Sequence, residues 1–163
     1  MEDGRSWCDG GYTLLELVTV VAIVAVAAAM AYPALAGMRR GQELESAAVG
    51  LTQKLRLAHW RAVVTGSRVR VAPAHAADGT WRFRAERELG TAWVPDGDDQ
   101  VIPRGTVVAI AGSGEKVFNP DGTCSLGSIT LRGSQGEVYR STLAPATGRV
   151  RFYRGEREAG RGL

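Results

Sequence analysis

Hydrophobic positions fall into three successive patterns along the chain. From Tyr12 to Leu35 the sequence is almost unbroken apolar, with Glu16 its one strongly polar side chain and Thr13 and Thr19 mild exceptions. As a helix this run would extend about 36 Å at about 1.5 Å per residue, enough to cross a bilayer. After Gly41, Leu44, Ala48, Leu51, Leu55, Ala58 and Ala62 recur at steps of four and three, while Glu43, Glu45, Gln53, Lys54 and Arg61 fall largely off that face. This is the period of an amphipathic helix, and Gly66 after Thr65 supplies its stop. From Ser67 the period drops to two. Val69 and Val71 alternate with Arg68 and Arg70; Trp81, Phe83 and Ala85 with Arg82, Arg84 and Glu86; Val150 and Phe152 with Arg149, Arg151 and Tyr153. Such alternation predicts half-buried antiparallel strands, apolar side in and arginine side out. Further strands are predicted over 106–111, 115–118, 128–131 and 137–143, with Asn119-Pro120-Asp121-Gly122 a turn. Residues 88–103, punctuated by Gly90, Pro95, Gly97 and Pro103, read as a long, poorly ordered loop. The fold class expected is α+β: a long N-terminal helix, half membrane and half amphipathic, packed on a two-sheet antiparallel β head.

The apolar run differs from the core of a cleaved secretory signal, which is about 7–15 residues long, follows a basic start and precedes a small-x-small site. Here the short preceding stretch sets Arg5 against Glu2, Asp3 and Asp9, and no such site follows. Glu16 is the anomaly within the run. An acidic residue at the centre of a membrane helix costs about 2.5–3.5 kcal/mol on insertion scales. The positions three and four residues away hold Tyr12, Thr13, Thr19 and Val20, none of them basic. A partner from another chain is the natural inference, with an α-amine created by cleavage before Tyr12 as an alternative.

Gly11-Tyr12-Thr13-Leu14-Leu15-Glu16-Leu17 closely resembles the processing site of type IV pilins and type II secretion pseudopilins. The resemblance implies that a prepilin peptidase cuts after Gly11, that Tyr12 becomes a methylated N-terminus, and that Glu16 is the fifth-position Glu used in subunit assembly. Tyr12 replaces the commoner Phe, and the leader is less basic than usual. Pro33 stands where many pilins carry a helix-kinking Pro, and such a residue near the end of any span is also ordinary. Arg39 and Arg40 follow the span and by the positive-inside tendency would stay cytoplasmic; the resemblance implies the opposite topology, with the head in the periplasm. In the head, Val117-Phe118-Asn119-Pro120-Asp121-Gly122-Thr123, Ile129-Thr130-Leu131 and Thr147-Gly148-Arg149-Val150-Arg151 look like the C-terminal pattern of the GspH/FimT group of minor pilins and minor pseudopilins. The organisation expected is a leader over 1–11, a transmembrane helix over 12–35, an amphipathic helix over 36–65 and a periplasmic head over 66–163. The implied setting is the bacterial inner membrane. The implied partners are other pilins or pseudopilins and the peptidase, with DNA or secreted cargo as further candidates.

Composition narrows the chemistry. The formal net charge is +3, and loss of residues 1–11 would raise it by two. Among the basic residues only Lys54 and Lys116 are lysine. A mildly basic exported head suits a solvated surface, or contact with a polyanion or anionic lipid. Of two cysteines, Cys8 would leave with the leader, so Cys124 could form no intrachain bridge and is expected to be buried. His59 and His75 with one remaining cysteine give no metal-ligand spacing, and a lone His59 near a helix end reads as a surface or core residue. Gly112-Ser113-Gly114-Glu115-Lys116 lacks the phosphate-loop spacing, and Gly133-Ser134-Gln135-Gly136 falls one residue short of a nucleophile elbow. No enzyme, cofactor or metal is expected. The competing function is nucleic-acid binding. In the FimT branch a Gly-Arg-x-Arg segment is linked to DNA capture during uptake, and Gly148-Arg149-Val150-Arg151 has that form. Arg149 and Arg151 share one strand face about 7 Å apart, close to the spacing of phosphates along one strand, and Arg154 adds charge. Against this, Arg68/Arg70 and Arg82/Arg84 show the same alternation.

Overall fold

The computed structural model describes residues 13–155, except that inside the first helix the side chains of residues 31 and 33–40 are not described. The expected leader, Gly11, Tyr12 and residues 156–163 therefore lie outside the described residues. Helix α1 takes in Leu14–Thr65, and the chain divides within it into two compact units, Met1–Arg39 and Arg40–Leu163.

In the first unit, α1 starts at a Thr-x-x-Glu cap. Thr13 Oγ1 accepts from the Glu16 amide at 3.2 Å, and the Thr13 carbonyl accepts from the Leu17 amide at 3.1 Å. One of the orphan N–H groups of the first turn is thereby satisfied. From Leu14 to Met30 the large apolar side chains are exposed all round the helix, Leu14 at 82%, Ile23 at 64% and Met30 at 77%. Among the described residues no helix is long and apolar enough to cross a membrane. The span expected over 12–35 includes residue 12 and the side chains of 31 and 33–35, which lie outside that description.

In the second unit, α1 buries Leu44, Ala47, Ala48, Leu51, Leu55, Ala58 and Ala62, the face that the four-and-three spacing predicts. It ends at Thr65, and Gly66 follows with φ +64°, the left-handed conformation in which glycine carries no Cβ penalty. Among the described residues nine strands follow: β1 Val69–His75, β2 Trp81–Leu89, β3 Ala92–Pro95, β4 Gln100–Ile102, β5 Val107–Gly112, β6 Lys116–Phe118, β7 Gly127–Arg132, β8 Val138–Ala144 and β9 Arg149–Arg154. They form two antiparallel sheets, β3-β2-β1-β6 with β4 also paired to β2, and β5-β7-β8-β9. Val69, Val71, Phe83, Ile102 and Phe118 of the first sheet share a core with Ile129, Leu131, Leu143 and Val150 of the second and with the buried face of α1. Thr52 ties the helix to the second sheet: its hydroxyl bonds the Ala48 carbonyl and lies 2.8 Å from Ser141 Oγ. The α+β class, with a helix on two antiparallel sheets, is as the alternation predicts.

The expected loop over 88–103 is corrected by the structure. It forms two short edge strands, β3 and β4, both laid against β2. Side chains of β2, α1 and β1 hold this segment against the sheet. Arg84 forms two bonds to the Asp99 carboxylate, at 2.9 and 2.8 Å. Arg61 of α1 meets Asp96 at 2.7 Å, and the Arg70 guanidinium lies 4.5 Å from the Trp93 ring centre. Pro95 is tolerated because it ends an edge strand, where one side of the backbone needs no ladder bond.

Candidate functional site

Two regions carry the expected site residues. At the N-terminus, Gly11 and Tyr12 lie outside the described residues, whereas Glu16 sits in the first turn of α1, exposed. Among the described residues no hydrogen bond or ion pair reaches its carboxylate. Its backbone amide, however, is engaged by Thr13. The Thr-x-x-Glu spacing that signals this cap is present in the sequence and is absorbed there into the processing motif.

The second region is built where β9 passes α1. The turn over Asn119-Pro120-Asp121-Gly122 closes with the Gly122 amide donating to the Asn119 carbonyl at 3.1 Å, while Asp121 Oδ1 accepts from Thr123 N and Oγ1. These bonds hold the Asp121 carboxyl below the usual range. The turn presents the Gly122 carbonyl to His59, whose Nε2 lies 3.1 Å away. A carbonyl only accepts, so Nε2 bears the proton. The His59 ring also packs against Phe118 at 6.0 Å between centroids. Gly148 then passes close by with φ +60°, and a Cβ there would collide with the His59 imidazole and the Gly122 carbonyl. The glycine of the Gly-Arg-x-Arg segment is thus required by the packing of β9 beside the helix.

Beyond it, Arg149 and Arg151 are exposed on either side of buried Val150. They line an open groove of about 770 Å³ together with Arg56 and His59 of α1, the other lining residues being Ala144, Thr147, Gly148 and Val150. Among the described residues no carboxylate lines it. Arg56 Nη2 donates to the Val150 carbonyl at 3.4 Å, and among the described residues Arg56, Arg149 and Arg151 have no ion pair. Arg154 is placed differently: it meets Glu45 at 3.3 Å and lies over the Tyr139 ring, 6.0 Å from its centre.

The arginines of the first sheet contrast with this. Arg68 meets Glu88 at 3.5 Å, Arg70 meets Glu86 at 2.6 Å and Glu115 at 3.1 Å, Arg82 meets Asp78 at 4.0 Å and Arg84 meets Asp99 at 2.8 Å. The Arg84 bond holds the Asp99 carboxyl below the usual range. The same period-two alternation therefore yields ion-paired arginines on β1 and β2 and, among the described residues, arginines without an ion pair at the start of β9. Arg56 escapes sequence reasoning because it stands beside Leu55 on a face expected only to be solvated; its nearness to β9 is a tertiary fact.

Comparison with known proteins bears on both regions. Residues 8–32 match the prokaryotic N-terminal methylation motif. No curated protein matches the chain significantly in sequence. Among solved structures, the minor pseudopilin EpsH from the Type 2 Secretion System of Vibrio cholerae is similar with a TM-score of 0.58, at 13% identity, over 69% of this chain and 97% of that one. At that identity the likeness is one of fold. Motif at one end and fold at the other support the resemblance to the GspH/FimT group: the chain joins a prepilin-type N-terminus to a head with the fold of a minor pseudopilin.

Proposed function

We propose that this pilin-like chain is a structural subunit that is cut after Gly11, methylated at Tyr12, anchored in the bacterial inner membrane with its head in the periplasm, and built into a secretion pseudopilus or type IV pilus by packing, without catalysis. The observation that carries this reading is the helix of the first unit, whose large apolar side chains are exposed on every side from Leu14 to Met30. Burying one such side chain is worth about 1.5–3 kcal/mol. A helix apolar all round therefore belongs in lipid or among other helices. The methylation motif over residues 8–32 adds the processing step. Intact-mass analysis of protein extracted from membranes of cells that also make a prepilin peptidase tests it. The expected species begins at Tyr12 and carries one added methyl group; a mature start elsewhere removes the reading.

A second reading is favoured by one observation, that among the described residues no carboxylate lines the groove that holds Arg149 and Arg151. In it the head also binds duplex DNA without sequence preference, as a minor pilin serving DNA uptake would. Each arginine that meets a phosphate contributes about 0.9 to the slope of log affinity against log salt. With the full chain in detergent micelles, the Arg149→Ala/Arg151→Ala pair is expected to lower the slope by roughly 1.8. The charge-matched Arg68→Ala/Arg70→Ala pair is expected to leave it nearly unchanged. Equal losses from both pairs would reduce the effect to diffuse attraction by a basic surface.

A further inference from the structure

We infer that Arg56 of α1 is a third phosphate-contacting residue, so that the polyanion lies between the helix and the edge of β9 and not flat on the second sheet; this rests on the DNA-binding reading above. Several observations converge on it. Among the described residues β9 ends its sheet and pairs with β8 alone, so one of its edges has no strand partner there. α1 runs past that edge, and Arg56 reaches the Val150 carbonyl between the two β9 arginines. A guanidinium has five N–H donors. One long contact of 3.4 Å from Nη2 leaves the others able to turn to a phosphate oxygen. Arg56 is exposed and lines the same groove as Arg149 and Arg151.

The walls of the groove are also tied to one another. His59 fixes the Gly122 turn to the helix, and Gly148 seats β9 against His59. The spacing between a guanidinium on the helix and two on the strand is therefore set by packing and not by flexible loops. Two arginines on one strand face can follow a line of phosphates. A third, from a different element, adds a lateral contact that a flat surface would not offer. The ligand class this arrangement suits is a backbone of regularly spaced phosphates, held by charge and indifferent to base sequence.

The test measures duplex DNA binding by the full chain in detergent micelles across a salt series, with Arg56→Gln, Arg56→Lys and, as control, Arg84→Gln, whose guanidinium is committed to Asp99. Arg56→Gln is expected to lower the salt slope by about 0.9. Arg56→Lys should keep the slope, and Arg84→Gln should match wild type. Thermal melts of each variant establish that the head is folded, and Arg56→Met, which keeps the stem without the charge and should show the same loss of slope, replaces the glutamine variant if that one is not. An unchanged slope in Arg56→Gln, with the Arg149→Ala/Arg151→Ala pair still impaired, overturns the inference while leaving the DNA reading in place. No salt-dependent binding by wild type removes the DNA reading itself. Equal loss in Arg84→Gln, or displacement of DNA by vesicles containing phosphatidylglycerol at lower concentrations than by competitor duplex, also overturns it.

Discussion

Lys116 on β6 is fully enclosed, yet among the described residues no carboxylate reaches it. Its ammonium donates instead to the carbonyls of Ser113 and, at 2.8 Å, Ala111 at the end of β5, bridging the two sheets through backbone oxygens. Burial pushes its pKa down, opposed by the nearby Cys124, and burial pushes the Cys124 thiol up. The two act oppositely on stability. Between the lowered folded value and the ordinary lysine value near 10.4, the unfolded chain binds a proton that the folded one does not, so stability rises with pH across that window. Below the window the burial penalty is fully present and flat. Cys124 contributes the reverse as pH passes the thiol range. In a Cys124→Ala background, urea melts from neutral to alkaline pH should therefore show Lys116 gaining stability relative to Lys116→Met. A difference that stays constant with pH would mean the ammonium is fully hydrated. The sequence fits this residue badly: Gly112-Ser113-Gly114-Glu115-Lys116 reads as a near-miss phosphate loop, and only the register of β5 and β6 turns it into a cross-sheet tie.

At the scale of elements, α1 separates two roles that one residue combines. Thr13 caps the helix through the Glu16 amide, a bond that does not involve the Glu16 carboxylate. Glu16→Ala therefore leaves the helix start intact and, on the proposed reading that this helix enters lipid, removes a charge that opposes insertion. If the carboxylate bonds a group on a neighbouring subunit, its loss forfeits a charge-assisted hydrogen bond worth about 1.5–3 kcal/mol, or roughly tenfold or more in association. Glu16→Ala and Glu16→Gln should both remain in the membrane fraction and both lose copurifying pilin-like subunits to that extent. Wild-type recovery of either would remove the intersubunit role. Elements with a strong period were legible: the buried face of α1 and the in-out alternation of β1, β2 and β9 follow from spacing alone. β3 and β4 were not. Four- and three-residue strands lack a full period, and the Gly and Pro that bound them signal loops; what makes them strands is β2 offering Arg84 and a free edge.

Across the whole molecule the lesson concerns charge. Alternating arginines look alike in sequence, but their partners come from distant positions. Glu115 reaches Arg70 across 45 residues and Asp99 reaches Arg84 across 15. The candidate groove was legible as far as Gly148, Arg149 and Arg151, and its other wall, Arg56 and His59, required the helix to be docked. Gly148 has a further consequence, for how such heads can diverge. Position 148 is pinned by the His59 ring and the Gly122 carbonyl, which leave no room for a side chain. Arg149 and Arg151 pair with β8 through their backbones, and among the described residues their exposed side chains make no ion pair. Both exposed arginines could be exchanged for acidic or neutral residues without disturbing that packing. Losing the glycine would carry the cost into folding itself. Gly148 is thus held in place by the packing of the head, whereas the side chains at 149 and 151 shape only the surface it presents.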